Sequence, residues 1–521
     1  GSGPITATVG GTIYGGSDAD TTGNTLNVND KGVTAGSVKG FSTIRFKLGS
    51  SVENGDTVLK LTEDTTIDYS TIVRPEVDNW LGDQMERTAH LIGMEGGKTL
   101  NLTGYVSGTG IKRGGDVEYA LKTDNDLMTT TGSLDLSAYK WQNANVMISR
   151  ALASVFGGKA LYNSDGETIN NKLTLDNGAD VNTATGGDTQ TENGFSKKNT
   201  LTINEGAKVT GDAIGGKAKK GDAALNTVTM QGGTVNTLKG GQSTDGNAEG
   251  NTADLAGGTI TTAIGGQAGT MAANNRLILS GTAQAAHLTG GRGQTVNKNI
   301  VEIKGGTVNG DITGGEATIG DATENEITVT GGTVNGALYG GYSANGKSTG
   351  NTVTLGDGRN ALASAALSNA DLYGGNDADK TDNILNVKTN VTVKSVQNFS
   401  KINFENNASV NAANPMLKVT GGANTTFDSL SKISADENLL GERTLVENLS
   451  GITIADGKNQ YGISKEKTEH LLENNGTQLR SLGYQFKDAE VTHNANVTGD
   501  LYSGRSELGN STVGNRLTLT G

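Results

Sequence analysis

The sequence predicts an all-β fold, a right-handed parallel β-helix (β-solenoid) with coils of about 25 residues, and three observations carry that expectation. One phrase recurs: TVNGDITGG at 307–315, TVNGALYGG at 333–341 and, more loosely, TVNTLKGG at 234–241. An Asn opens a short alternating strand at nine places, from NKLTL at 171 to NILNV at 383, with steps of 28, 27, 25, 24, 24, 26, 26 and 32 residues. Glycine supplies 79 of 521 residues and proline only 3, an imbalance that excludes both collagen and proline-rich linkers and asks for another geometry.

Each repeat reads in the same order. The Asn comes first, and then a strand such as NTVTM at 226 or NTVTL at 351, whose apolar residues lie two apart. That period is the mark of a strand with one buried face. A Gly-rich turn and a second strand of the TVNGDI kind follow, closed by Gly-Gly and a variable polar segment. Two or three such strands cannot bury their apolar face alone, so the copies must stack, parallel and about 4.8 Å apart. The closing glycines are expected to supply positive φ at a corner and to let neighbouring coils touch. The Asn side chains, at equal height in every coil, are expected to bond one to the next, which puts Asn199, Asn226, Asn251, Asn275, Asn299, Asn325 and Asn351 in one row. The polar segments after Gly187, Gly241 and Gly341 vary in length and are expected to project as loops from a common face.

A larger period encloses the smaller. YGGSDADTTGNTLNV at 14–28 returns as YGGNDADKTDNILNV at 373–387, and the match continues to GDQMERT at 82 against GERT at 441 before resuming at 155 and 501. The chain therefore reads as one continuous β-helix over residues 1–521, with regular coils at 156–375 and longer, irregular coils with protrusions at 40–155 and 398–500. A second copy of a unit of about 350 residues starts near 373. KEKTEHLLENN at 465 has the composition of a helix, although RTLVENLSGITI and QLRSLGYQF on either side of it read as strands.

Composition narrows the function. With 42 basic against 55 acidic residues the formal charge is −13, and no basic run interleaves with aromatics, so a nucleic-acid footprint is not expected. There is no cysteine, hence neither disulfide nor thiolate metal site. No apolar run reaches the length of a membrane span, no signal peptide is read, and the opening GSG resembles a cloning remnant, so the chain is taken as an excised part of something longer.

No catalytic constellation emerges. Enzymes built on β-helices group carboxylates with Arg or Lys across neighbouring coils, whereas the outward strand positions here are mostly Thr and Asn, as at Thr202, Thr229, Thr328 and Thr354. His90, His287, His470 and His493 occupy unrelated places, and Val446 stands where the second large unit would repeat His90. Asp18, Asp20, Asp377 and Asp379, in GGSDAD and GGNDAD, have the residue types of a calcium turn but not its nine-residue spacing, and are read as solvated turn residues. An ice-binding Thr array is broken by Asp254, Ile278, Glu302 and Asn386. Catalytic residues, metal ligands and cofactors are all expected to be none.

The GGTVNG…YGG…GNTVTL phrasing resembles the passenger domains of bacterial autotransporters, the type V secretion family, over most of the chain and most clearly at 156–375 and 501–521. That resemblance implies export by a signal peptide, passage through a C-terminal outer-membrane barrel absent from this sequence, and display of the β-helix at the bacterial surface, with release as a variant. It also implies an adhesin, tied to virulence, whose partner is a protein or glycan receptor on host cells or other bacteria, with self-association as a variant of the same role. The alternative is a β-helical polysaccharide lyase or glycoside hydrolase. The family has no shared catalytic motif, so no functional residue is carried over.

Overall fold

The computed structural model describes residues 6–520 apart from positions 18, 74, 78, 79, 83, 107–111, 125–129 and 162–165. The chain is a β-solenoid whose regular structure is nearly all strand, with two single-turn 3-10 helices among the described residues, at Tyr69–Thr71 and Leu430–Lys432. By packing it divides into two units: Gly1–Thr202 with Ile214–Thr227 and Ser243–Gly246, and Ile203–Ala213 with Val228–Gln242 and Asn247–Gly521.

The second unit contains the most regular coils. Its Asn-led strands Thr252–Leu255, Arg276–Leu279, Ile300–Ile303, Glu326–Val329, Thr352–Leu355 and Ile384–Val387 pair in parallel, at steps of 24, 24, 26, 26 and 32 residues. The period-2 pattern puts one column, Ala253, Leu277, Val301, Ile327, Val353 and Leu385, and a second, Leu255, Leu279, Ile303, Val329, Leu355 and Val387, into the core. Shelving like on like in this way removes each side chain from water, which contributes about 1.5–3 kcal/mol per large aliphatic residue. A second sheet holds the glycine-closed strands, among them Thr259–Gln267, Gln284–Gly293, Ile312–Ala317, Leu338–Ser343 and Asp371–Gly375. A third, of two- and three-residue strands from Ala248–Glu249 to Ser348–Thr349, leads into the next Asn.

The Asn row is present in both units. In the second, Asn251, Asn275, Asn299, Asn325, Asn351 and Asn383 are fully buried, and in the first so are Asn171, Asn199 and Asn226. Along the row an Oδ1 accepts twice from the Asn of the coil before: the backbone N–H of Asn275 donates to Asn299 Oδ1 at 3.1 Å and its Nδ2 donates to the same oxygen at 3.0 Å. The remaining Nδ2 proton goes to a main-chain carbonyl, Ala248 O at 2.9 Å. Every polar atom of the amide is thereby paired, the condition for tolerating it in a core. The left-handed residue is not this Asn but its predecessor. Asn170, Lys198, Leu225, Gly250, Asn274, Lys298, Glu324, Gly350 and Asp382 have φ between 54° and 70°.

The closing Gly-Gly pairs depart from expectation in one respect. None has positive φ; that conformation falls on other glycines, such as Gly258 and Gly306 in the turn between the first two sheets, with φ of 85° and 75°. What the closing pair supplies is space. A Cβ on Gly290 would overlap the Gly314 carbonyl of the next coil, and one on Gly291 would overlap the Asn299 amide.

In the first unit, strands Ala7–Tyr14, Val33–Lys39, Thr57–Leu61 and Glu86–Met94 are parallel, but Ser133–Lys140, Val117–Thr123 and Lys112–Gly114 continue the sheet in antiparallel fashion. The second unit repeats the arrangement in Gly441–Asn448, Gln478–Gln485, Thr468–Asn474 and Gln460–Ser464. Residues 468–474 are therefore a strand and not a helix. The large repeat thus persists through a stretch where its sequence match lapses: Glu118 opposes Tyr139 as Glu469 opposes Tyr484. It also shifts one alignment. Ile92 sits on Leu59 as Val446 sits on Leu417, so Val446 corresponds to Ile92, and Thr444 takes the place of His90.

Both hairpins bury a glutamate that holds a later loop. Glu118 accepts from the Leu161 N–H at 2.8 Å. Glu469 accepts from the Glu507 and Leu508 N–H groups, from Ser506 Oγ at 2.8 Å and from Asn510 Nδ2 at 2.6 Å. Burial pushes the Glu469 carboxyl up, but these donors more than offset it and hold it below the usual carboxylate range. Beside it His470 is buried, its Nδ1 3.2 Å from Ser481 Oγ; burial, aided by the Lys465 charge and opposed by Asp436 and Glu469, lowers it to about 4 from 6.5.

Three outcomes follow for stability. Asn299→Ala strips the acceptor from two buried donors of Asn275 and should destabilise its coils by about 2–4 kcal/mol in chemical denaturation. Leu225→Gly places at φ 55° the residue already used at 250 and 350, and should stabilise by about 0.5–1 kcal/mol in the same assay. Because the folded value of His470 lies below that of the free side chain, its contribution is complete above pH 6.5 and is lost as pH falls towards 4, a loss of about 3 kcal/mol. Glu469 acts in the same direction at lower pH. Hydrogen exchange in strands 460–485 should accelerate over that window, and His470→Tyr, which installs the residue that the first unit carries at Tyr119, should remove the upper part of the dependence.

Candidate binding face

The Gly-Gly pairs determine which side chains reach solvent on their sheet. Both glycines lie against the Asn row and the next coil, so the residues just before and just after each pair turn outward. In the second unit the position before the pair forms a column of Lys239, Ile264, Thr289, Thr313, Tyr339, Tyr373 and, beyond the last pair, Gln397. The position after it forms a parallel column of Gln242, Gln267, Arg292, Glu316 and Tyr342. Stacking shields the first column: Lys239 is 7% exposed and is paired with Asp212 at 2.9 Å.

At one end the two columns become aromatic. The rings of Tyr339 and Tyr373 stack with centroids 4.7 Å apart and planes 10° from parallel, while Tyr342 stands at 86° to Tyr339, 6.0 Å away. These are the stacked and edge-on geometries that the ring quadrupole favours. Tyr342 is 38% exposed. Around the rings, Asp371 pairs with Lys394 at 2.9 Å and accepts from Ser395 Oγ at 2.6 Å, and Glu316 pairs with Arg292 at 3.1 Å. Asp311 accepts from the Ala337 N–H at 2.8 Å, and Gln397 Nε2 reaches the Tyr373 hydroxyl at 3.5 Å. Burial, then Tyr373, Asp311, Asp371 and Tyr342, raises the Tyr339 hydroxyl above the ordinary phenol value.

The segments expected to project as loops are instead held against the coils. Tyr342 lies within strand Leu338–Ser343, and the turn after it is tied down by Gly346 N–H to Ser343 Oγ at 2.7 Å and by Asn345 Nδ2 to Thr318 O at 2.9 Å. Variation after the glycines therefore alters a sheet surface. The signal for this was present in the sequence, because the residues flanking each Gly-Gly differ from coil to coil: Lys/Gln, Ile/Gln, Thr/Arg, Thr/Glu, Tyr/Tyr.

The other candidates are dispersed. His90 pairs with Asp135 at 2.6 Å on the surface, His287 Nδ1 accepts from the Asp311 N–H at 3.3 Å, His470 is buried and His493 lies on strand Glu490–His493. Asp20 and Asp379 hold corresponding turns by accepting from the N–H of Thr22 and Thr381, and Asp379 also pairs with Lys347 at 2.9 Å. The Thr381 hydroxyl and Lys347 hold Asp379 at about 2. Asp377 accepts from the Ser348 N–H at 3.0 Å, and Asp18 lies outside the described residues. No group of three His, Asp or Glu that could hold a metal occurs among the described residues. The outward column Asp254, Ile278, Glu302, Thr328, Thr354 and Asn386 is mixed, and Glu302 bridges Arg276 and Lys304 at 2.6 Å each.

The aromatic end makes one titration specific. In ring-carbon NMR, the midpoint of Tyr339 should lie above that of an ordinary phenol and should fall towards the ordinary value in Tyr373→Ala, which opens the stack to water. Comparison of the chain with protein families, with curated proteins and with solved structures gives no match.

Proposed function

We propose that this chain is the displayed part of an autotransporter-like surface protein, an adhesin that attaches to host cells or to other bacteria through the outer face of its glycine-closed sheet. The observation that carries the reading is the tyrosine group of 339, 342 and 373, three aromatic side chains kept in contact on hydrogen-bonded strands, with Tyr342 exposed and the other two half-buried beside it. Tyrosine gives large contact area at small entropic cost, and strands pre-organise it, so little ordering remains to be done on binding. The repeat-wise resemblance to passenger domains supports surface display, and the columns of paired charges flanking the tyrosines supply a polar rim. Repetition of weak sites along a solenoid raises the effective concentration of each once one is engaged.

The test is retention of the chain on epithelial cells and on bacteria. Combined Tyr339→Ala, Tyr342→Ala and Tyr373→Ala should reduce retention at least tenfold, with circular dichroism unchanged, because these positions face outward. Release of reducing or unsaturated ends from a polysaccharide panel would favour a lyase or hydrolase instead and would defeat the proposal.

A further inference from the structure

Resting on that reading, we infer that the ligand of the tyrosine face is an uncharged glycan. Three features of the site select it. The first is the rings themselves: Tyr339 and Tyr373 stack on each other, and Tyr342, 38% exposed and turned across that stack, offers an aromatic surface to the C–H groups of a pyranose. The second is the polar set beside them. Asp311, Glu316, Asp371 and Gln397 carry acceptors and an amide donor of the kind that bind hydroxyl groups.

The third feature separates a sugar from the other partner an aromatic and acidic surface would suit, a cation. A quaternary ammonium or a lysine tail needs net negative charge beside the rings. Here Lys394 lies 2.9 Å from Asp371 and Arg292 lies 3.1 Å from Glu316, so two of the three carboxylates are already neutralised within the coils. A neutral, many-hydroxyl ligand gains from the paired groups as hydrogen-bond partners and incurs no penalty from the balanced charge. The face is also open along the coil direction, since it is built from one strand in each successive coil, and so it suits an internal segment of a chain as well as its end.

The experiment uses the whole chain and cells that retain it. Periodate strong enough to cleave the vicinal ring diols of neutral sugars should reduce retention at least tenfold, and sialidase or protease treatment of the same cells should leave it within about threefold. The reverse pattern would overturn the glycan inference while leaving adhesion intact; absence of retention on any cell would instead sink the adhesin reading. A second arm reads the site directly. Ring-carbon NMR of labelled tyrosine, titrated with neutral manno-, gluco- and N-acetylglucosamine oligosaccharides and separately with choline chloride, should shift Tyr339, Tyr342 and Tyr373 with a sugar and not with choline. Tyr342→Ala should weaken the sugar at least tenfold and Tyr342→Phe by less than about threefold. Shifts with choline alone, or sugar binding that survives Tyr342→Ala, would refute the assignment.

Discussion

A single buried amide, repeated once per coil, is the constraint on which the rest of the structure depends. In the Asn row a side chain such as Asn275 or Asn299 bonds to the Asn above, to the Asn below and to the main chain, and every member is fully excluded from water. Such a group tolerates no offset: shifting one coil by a residue would place an aliphatic side chain beneath two unpaired donors, at a cost of several kcal/mol. The row therefore fixes register for the whole coil, a task that the aliphatic columns, tolerant of Val, Leu or Ile at any level, perform poorly. It also dictates the glycines. An amide seated at that height leaves no room for a Cβ on the strand that crosses it, which is why Gly291 faces Asn299 and Gly315 faces Asn325.

From that coupling comes the proposed binding face. With both central residues of the strand reduced to glycine by the interior, the side chains that flank the pair are the ones that vary from coil to coil on this face. Register and the proposed recognition are thus written in adjacent letters of the same phrase. The Tyr-Gly-Gly-Tyr of 339–342 and the Lys-Gly-Gly-Gln of 239–242 differ only where they meet solvent. A lysine held at 7% exposure and a half-buried tyrosine can occupy equivalent places because the neighbours above and below supply the pairing each needs, Asp212 for one and Tyr373 for the other.

The coil period, the alternation and the Asn row were legible in the sequence because each depends on a local pattern repeated at fixed height. The role of the closing glycines was half legible: contact between coils was read correctly, but positive φ was assigned to them when it belongs to the residue before each Asn and to the glycines of the preceding turn. Nothing in a residue such as Leu225 announces a left-handed backbone; only its place ahead of Asn226 does. The hairpins were not legible at all. Alternation has the same period in parallel and antiparallel strands, and the two copies had drifted, with Tyr119 replaced by His470 and Leu136 by Ser481, so only their pairing registers reveal the kinship. Tyr342 was placed in a loop because the polar stretch after Gly341 has the composition of one.

The antiparallel hairpins carry a further implication for a molecule under tension. A stack of identical coils resists pulling only as strongly as its weakest turn, and once one has peeled the next is no better defended. A hairpin folded back on the parallel strands and pinned by a buried glutamate to a segment 37 to 41 residues further on cannot peel alone, since opening it also releases that later turn. Spaced once per large repeat, such knots turn a thread that would run like a dropped stitch into one that fails in bounded lengths.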